Sequence, residues 1–203
     1  MPVKHSSKRK KNILFVCCGN RERSLIAERL LCQSLENHYP DLLDKVEIGS
    51  AGIFPKGYLA HARELGVTFV APYFGKRPNT YAINYLAEKG MDVSSYRSRG
   101  LTKRLIIKAD LILAMDKVLR DEILGLYPKA SGRVLALKEF VFGPECPDLN
   151  IGDPMALPEI EKKTGVWVWP EGYAANYIEE IEQCFAKGME KFIGYIKGRI
   201  EPS

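Results

Sequence analysis

Long apolar runs, histidines and evenly paired cysteines are all scarce in this sequence, and each scarcity excludes something. No apolar stretch reaches the ~18 residues of a membrane-spanning helix. Leu105–Met115 comes closest, and Lys108 and Asp110 interrupt it. The basic N-terminus MPVKHSSKRKKN has no apolar h-region of the secretory kind, so a cytoplasmic protein is expected. Only three histidines occur, His5, His38 and His61, none at metal-ligand spacing. No metal or cofactor is therefore expected, and His61 reads as a surface residue. Five cysteines, an odd number, argue against a disulfide framework and for free thiols in a reducing compartment. Internal repeats and low-complexity tracts are absent.

What remains is ordinary soluble composition, 46% apolar and 27% charged, over 203 residues. That length suits one domain with a substantial core. The net charge of +5 sits partly in Lys4, Lys8, Arg9, Lys10 and Lys11. Residues 1–11 read as a basic, flexible, solvated tail. An anionic surface is a conceivable contact for it, but nucleic acid is not expected as a partner.

From there, strands and helices alternate. NILFVCC is a short β-forming apolar run that ends at Gly19. SLIAERLLCQSLENHY places Leu25, Ile26, Leu30, Leu31 and Leu35 at helical spacing, and Pro40 ends it. DKVEIGSAG is a second strand. NTYAINYLAEKG is a helix with Asn79 as cap and Gly90 as stop. KADLILAMD is a third strand, DKVLRDEILGLY a helix that Asp116 caps, and GRVLALKEF a fourth strand. A long amphipathic helix closes the chain. The expected fold is α/β: a four-stranded parallel twisted sheet with helices on both faces. Residues 12–203 form one domain, with insertions near 54–78 and 155–171. The second insertion holds Trp167 and Trp169. Long ordered loops of this kind tend to be functional.

Ligands in such folds bind at the C-terminal ends of strands, where Cys17 lies. The segment from Cys17 to Ser24 links strand to helix. Its amides lack intrahelical partners, and the helix N-terminus carries about half a positive charge, so the loop suits an anion of phosphate size. Gly19 permits close backbone approach, and Asn20 tolerates a left-handed bend. Arg23, six positions after Cys17, can grip two phosphoryl oxygens at once. The same field favours the thiolate of Cys17, the nucleophilic form of cysteine. Ser24 can hydrogen-bond that sulfur. Cys-x5-Arg alone is a weak signal; Cys-x-Gly-Asn-x-x-Arg-Ser at a strand-to-helix junction is much stronger. Cys18 reads as structural, as do Cys32, Cys146 and Cys184.

ILFVCCGNRERSLIAE resembles the signature of the low-molecular-weight protein tyrosine phosphatase family, Cys-x-Gly-Asn-x-Cys-Arg-Ser after a strand. EIGSAG, GMDVSSYRSRGLT, ADLILAMD and IGDPM are similar to further segments of that family, in the same order. The resemblance implies a phosphomonoester hydrolase that works through a phosphocysteine and acts on phosphorylated protein or a smaller phosphoester. Carried over, Cys17 is the nucleophile. The loop Cys18, Gly19, Asn20, Arg21, Glu22 and Arg23 binds phosphate, helped by the Arg23 side chain. Asn20, Ser24 and Ser50 hold the loop's shape, and Asp153 is the general acid. An acid is needed because a phosphoester oxygen leaves poorly until protonated. Asp148 is the alternative for that role.

Three departures from the family pattern stand out. Glu22 occupies the place of the second loop cysteine, so that disulfide is unavailable, and its carboxylate is expected to turn outward, to Arg21. Arg21 sits at the pocket lip, where it could favour an acidic substrate. Met155 and Ala156 follow Asp-Pro where aromatic residues are usual; Trp167, Trp169 or Tyr58 could supply a wall for a ring, but buried aromatics outnumber ligand-binding ones and core packing is the expected role. Two other readings stay open. One is a thiol-dependent arsenate reductase, disfavoured because DKVLRDEILGLYPK has no resolving cysteine. The other is a catalytically weak phosphate-binding regulatory module.

Overall fold

The computed structural model describes residues 9–64, 72–152, 159–160, 167–168 and 173–202. Its centre is strand β1 (Lys11–Cys17), whose run Ile13–Val16 is buried. A strand buried on both faces and apolar throughout belongs inside a parallel sheet. β1 pairs in parallel with β2 (Val46–Gly52) on one side and β3 (Leu111–Ala114) on the other. β4 (Val134–Ala136) adds beyond β3, giving the order β2-β1-β3-β4. The expected four-stranded parallel sheet is therefore present. The register sets Cys17 opposite Gly52 and Val16 opposite Ala114, so three strand ends meet at one edge.

Helix α1 (Arg23–His38) buries the apolar stripe read from its spacing, Leu25, Ile26, Leu30, Leu31 and Leu35. A 3₁₀ turn over Pro40–Lys45 then leads into β2. The first insertion holds α2 (Tyr58–Glu64). α3 (Thr80–Glu88) ends as expected near Gly90, whose φ of 76° supplies the left-handed turn. α4 (Lys103–Lys108) precedes β3, and α5 (Lys117–Leu126) follows it. The Asp116 carboxylate caps α5 by accepting from Leu119 N at 2.8 Å, as its position foretold.

Two expectations need correction. GRVLALKEF is not one strand: β4 stops at Ala136 and α6 (Leu137–Phe142) begins at once. The Glu139 side chain, three residues in, accepts from Ala136 N at 3.0 Å and fixes that start. Asn79 stands at the α3 N-cap, but its side chain makes no cap bond. Its backbone N–H donates instead to Arg21 O at 3.1 Å, pinning α3 to the loop after β1.

β5 (Glu159–Ile160) and β6 (Trp167–Val168) pair antiparallel within the second insertion. The final helix, α7 (Tyr173–Ile196), packs against α1 and α6. Its Phe185 and Phe192 lie 6.1 and 6.3 Å from the Phe15 ring. Burying a ring of this size contributes about 1.5–3 kcal/mol, so this contact anchors α7 to the sheet. Lys11, read as tail, opens β1, and Arg9 pairs with Asp110 at 2.6 Å. No described helix is long and apolar enough to cross a membrane.

Candidate active site

Every group predicted for the loop converges where β1 gives way to α1. Asn20 adopts φ 53°, the only left-handed non-glycine conformation among the described residues. That bend turns its backbone N–H toward Cys17 Sγ at 3.2 Å. Ser24 Oγ lies 3.0 Å from the same sulfur. Asn20 Nδ2 donates to Ser24 Oγ at 3.0 Å, which leaves the Ser24 hydrogen to point at sulfur. Two donors thus aim at Cys17, an arrangement that suits a thiolate. Cys17 is 3% exposed, so these donors rather than bulk water meet its sulfur.

Asn20 is fully used. Its Nδ2 also donates to Ser50 Oγ at 2.9 Å, and its Oδ1 accepts from Tyr96 OH at 2.7 Å and from Arg99 N at 2.9 Å. Ser50 was expected here; Tyr96, Arg99 and Glu28 were not. Ser50 Oγ touches Tyr96 OH at 3.0 Å and Glu28 Oε2 at 2.5 Å. Hydrogens decide the state of this cluster. Tyr96 gives its only one to Asn20 Oδ1, and Ser50 gives its own to Glu28 Oε2. Desolvation pushes Glu28 above the usual carboxylate range, against the opposing pull of Ser50, Arg29 and Arg99. Burial likewise pushes Tyr96 up to about 12, so it keeps its proton at neutral pH. The Arg-x-Arg pair in SSYRSRG was the available signal for this part of the site.

Arg23 is 2% exposed. Its Nη1 donates to Asp116 Oδ2 at 3.1 Å and to Ile151 O at 3.0 Å. Asp116, legible in the sequence only as a cap, therefore holds the buried Arg23 guanidinium as well. Ile151 N donates to Met115 O at 2.8 Å, so the chain entering the Asp-Pro segment is tied to the end of β3. Asp153 itself, with Met155, Ala156 and Trp169, lies outside the described residues, as do the side chains of Trp167 and its neighbours. Asp148, the alternative acid, is mostly exposed and bonds Asn150 N and Lys138. The backbone bond from Asn150, then Lys138, holds its carboxyl below the usual range, the wrong direction for a proton donor.

Glu22 does not turn outward. It is 6% exposed at the N-cap of α1, where a negative charge complements the helix dipole. Arg21 goes elsewhere: its Nε donates to Arg77 O at 2.7 Å, binding the lip to the segment that closes the first insertion. Cys18 is buried, with Sγ 4.0 Å from Arg23 Nη2. Gly19 meets nothing of the chain's own within 4 Å of an added Cβ, so folding leaves that position open. Gly52 is the opposite. A Cβ there would lie 2.5 Å from Cys18 O, 2.7 Å from the Phe74 ring and 3.0 Å from Asn20 N. The loop's floor rests on this glycine, which sequence reading passed over.

Phe74 also lies against Gly100. It belongs to an aromatic cluster in which the Phe54 ring is 5.6 Å from Tyr58 and 5.7 Å from both Tyr73 and Phe74. Of the three candidate wall residues, Tyr58 is thus placed beside the loop's flank. Among the described residues, no group of three His, Cys, Asp or Glu side chains is arranged to hold a metal ion.

A thiol beneath two donors, a buried arginine and a left-handed asparagine thus meet at the end of a central parallel strand. Residues 12–185 match the family described as low molecular weight phosphotyrosine protein phosphatase, and the chain belongs to it. It is 32% identical to the probable low molecular weight protein-tyrosine-phosphatase EpsP of Ralstonia nicotianae, over 78% of this chain and 94% of that protein. It is 36% identical to a protein-arginine-phosphatase of Geobacillus stearothermophilus, over 72% of this chain and 80% of that protein. The solved YwlE arginine phosphatase from Geobacillus stearothermophilus superposes with a TM-score of 0.64 at 30% identity, covering 94% of this chain and 98% of that one.

Proposed function

We propose that this phosphatase hydrolyses a phosphorylated protein side chain through a phosphocysteine at Cys17, with an aryl ester as the preferred leaving group. The observation that carries the mechanism is the convergence of Asn20 N and Ser24 Oγ on Cys17 Sγ beside a buried Arg23. In the first step the Cys17 sulfur attacks phosphorus in line. The phosphorus–oxygen bond breaks, and the leaving oxygen takes a proton from Asp153. The amides from Cys18 to Arg23 and the Arg23 guanidinium carry the charge on the equatorial oxygens. In the second step Asp153 takes a proton from water, whose oxygen attacks phosphorus. The sulfur leaves as thiolate, received by Ser24. An acid and base of this kind contributes about 10²–10⁴ in rate.

The aryl preference rests on the cluster of Phe54, Tyr58, Tyr73 and Phe74, which leans on Gly52 and Gly100 at the loop's flank. Arg21 and Arg77 at the same lip favour acidic residues around the phosphorylated one. Five free thiols fit a cytoplasmic location, which belongs to this reading. The test is release of phosphate in EDTA from p-nitrophenyl phosphate, then from phosphotyrosine, phosphoarginine and phosphoserine peptides and sugar phosphates. Cys17→Ser is expected to abolish turnover, and Asp153→Ala to slow the second half-reaction about 10²-fold or more. Full turnover by Cys17→Ser sinks the mechanism. Faster cleavage of phosphoarginine than phosphotyrosine overturns the aryl preference alone.

A further inference from the structure

At the end of the sheet remote from Cys17, five cations line one concavity of about 640 Å³: Arg9, Lys11, Lys45, Lys197 and Arg199. The fold gathers them from three places. Lys11 opens β1, and Lys45 stands just before Val46, its partner in β2. Arg9 lies two residues before β1, and the turn after α7 brings Lys197 and Arg199. Gly198, at φ 67°, lets Arg199 N donate back to Gly194 O at 2.8 Å and Gly198 N to Tyr195 O at 2.9 Å. Lys11 and Cys17 are the two ends of one strand, about 20 Å apart at ~3.3 Å per residue. The concavity is therefore separate from the phosphate loop.

Neighbouring carboxylates only partly offset this charge. Asp110 takes Arg9, and Asp44 pairs with Lys10 at 3.8 Å, just outside the lining. Glu201 lies two residues beyond Arg199. Lys11 rests 4.9 Å over the Tyr195 ring. Lys45, Lys197 and Arg199 make no ion pair among the described residues, and no acidic side chain lines the concavity. Converging like charges repel, and a bound polyanion removes that repulsion.

We propose that this concavity binds a condensed phosphate, a short chain of linked phosphoryl groups carried either by an inorganic polyphosphate or by a nucleoside triphosphate. The volume falls within the range of small-molecule sites. The lining recognises charge and little else. Its one apolar side chain, Ile196, is 5% exposed, too little to enter a lipid surface. It offers no exposed ring on which nucleic-acid bases would stack. Closely spaced oxygens on adjacent phosphorus atoms match ammonium and guanidinium groups spread around a hollow.

The test is calorimetric titration of the full chain with inorganic tripolyphosphate in EDTA, with and without saturating tungstate, repeated with ATP. Binding should occur at one site, survive tungstate, weaken as salt is added and raise Tm. The double variant Lys45→Glu/Lys197→Glu should weaken binding about tenfold or more and leave kcat on p-nitrophenyl phosphate unchanged. If its circular dichroism departs from the parent's, Lys45→Gln/Lys197→Gln should still weaken binding about threefold. ATP bound as tightly as tripolyphosphate, or more tightly, supports the site and shows which source it accepts. Lack of binding, competition by tungstate, parental affinity in the folded variant, or tighter binding of an oligonucleotide than of either phosphate chain overturns it.

Discussion

Asn20 makes four side-chain hydrogen bonds and one main-chain bond to sulfur, and Glu28 joins that set through Ser50. Glu28 is held neutral more readily in the fold than in the unfolded chain, because desolvation raises its pKa. The folded protein therefore binds this proton more tightly than the unfolded one. Its contribution to stability is complete below the ordinary glutamate range and is lost as pH rises through the raised folded value. The groups facing it are Ser50, Tyr96, Arg29, Arg99 and Cys32, whose thiol burial, with Glu28, pushes up to about 11. Glu28→Gln should remove this slope. Urea unfolding between pH 4.5 and 8 should show the variant gaining on the parent as pH rises, and parallel curves would refute tighter proton binding at Glu28 in the fold. Asn20 and Ser50 were legible from the loop pattern. Glu28 was not, because a glutamate on a helix reads as solvated until its neighbours across the sheet are known.

Between elements, Asp116 joins α5 to the start of α1. One carboxylate oxygen accepts from Leu119 N and the other from Arg23. Asp116→Asn keeps an acceptor for the cap but removes the charge opposite a buried guanidinium. The expected loss is about 1–3 kcal/mol in chemical unfolding, the range for a buried charged group losing its partner. Asp116→Ala should cost about 1 kcal/mol more through the cap. On the proposed role of Arg23, an oxyanion in the loop would replace the missing charge, so vanadate should raise the Tm of Asp116→Asn more than that of the parent. An equal rise would detach Asp116 from the site. The α5 cap was readable because Asp before a helical stripe is a local signal. The α6 start was not: VLALKEF has strand-like apolar content, and only the backward reach of Glu139, itself paired with Arg120 at 2.9 Å, decides for helix.

Across the whole molecule, periodicity carried the sheet and the long helices, since burial of a central strand or an amphipathic stripe imprints directly on residue order. Contacts between distant segments left no such imprint. Gly52 reads as the end of a strand, yet it lies under Cys18 O, Asn20 N and the Phe74 ring together. Gly19 reads as permitting close backbone approach, and nothing of the chain's own stands where a methyl would go. The pair therefore separates two kinds of tolerance. In a saturation library sorted for soluble expression, alanine at 19 should persist while alanine at 52 is depleted. Sorted again for turnover, the same library measures at 19 what substrate, rather than folding, demands of that position.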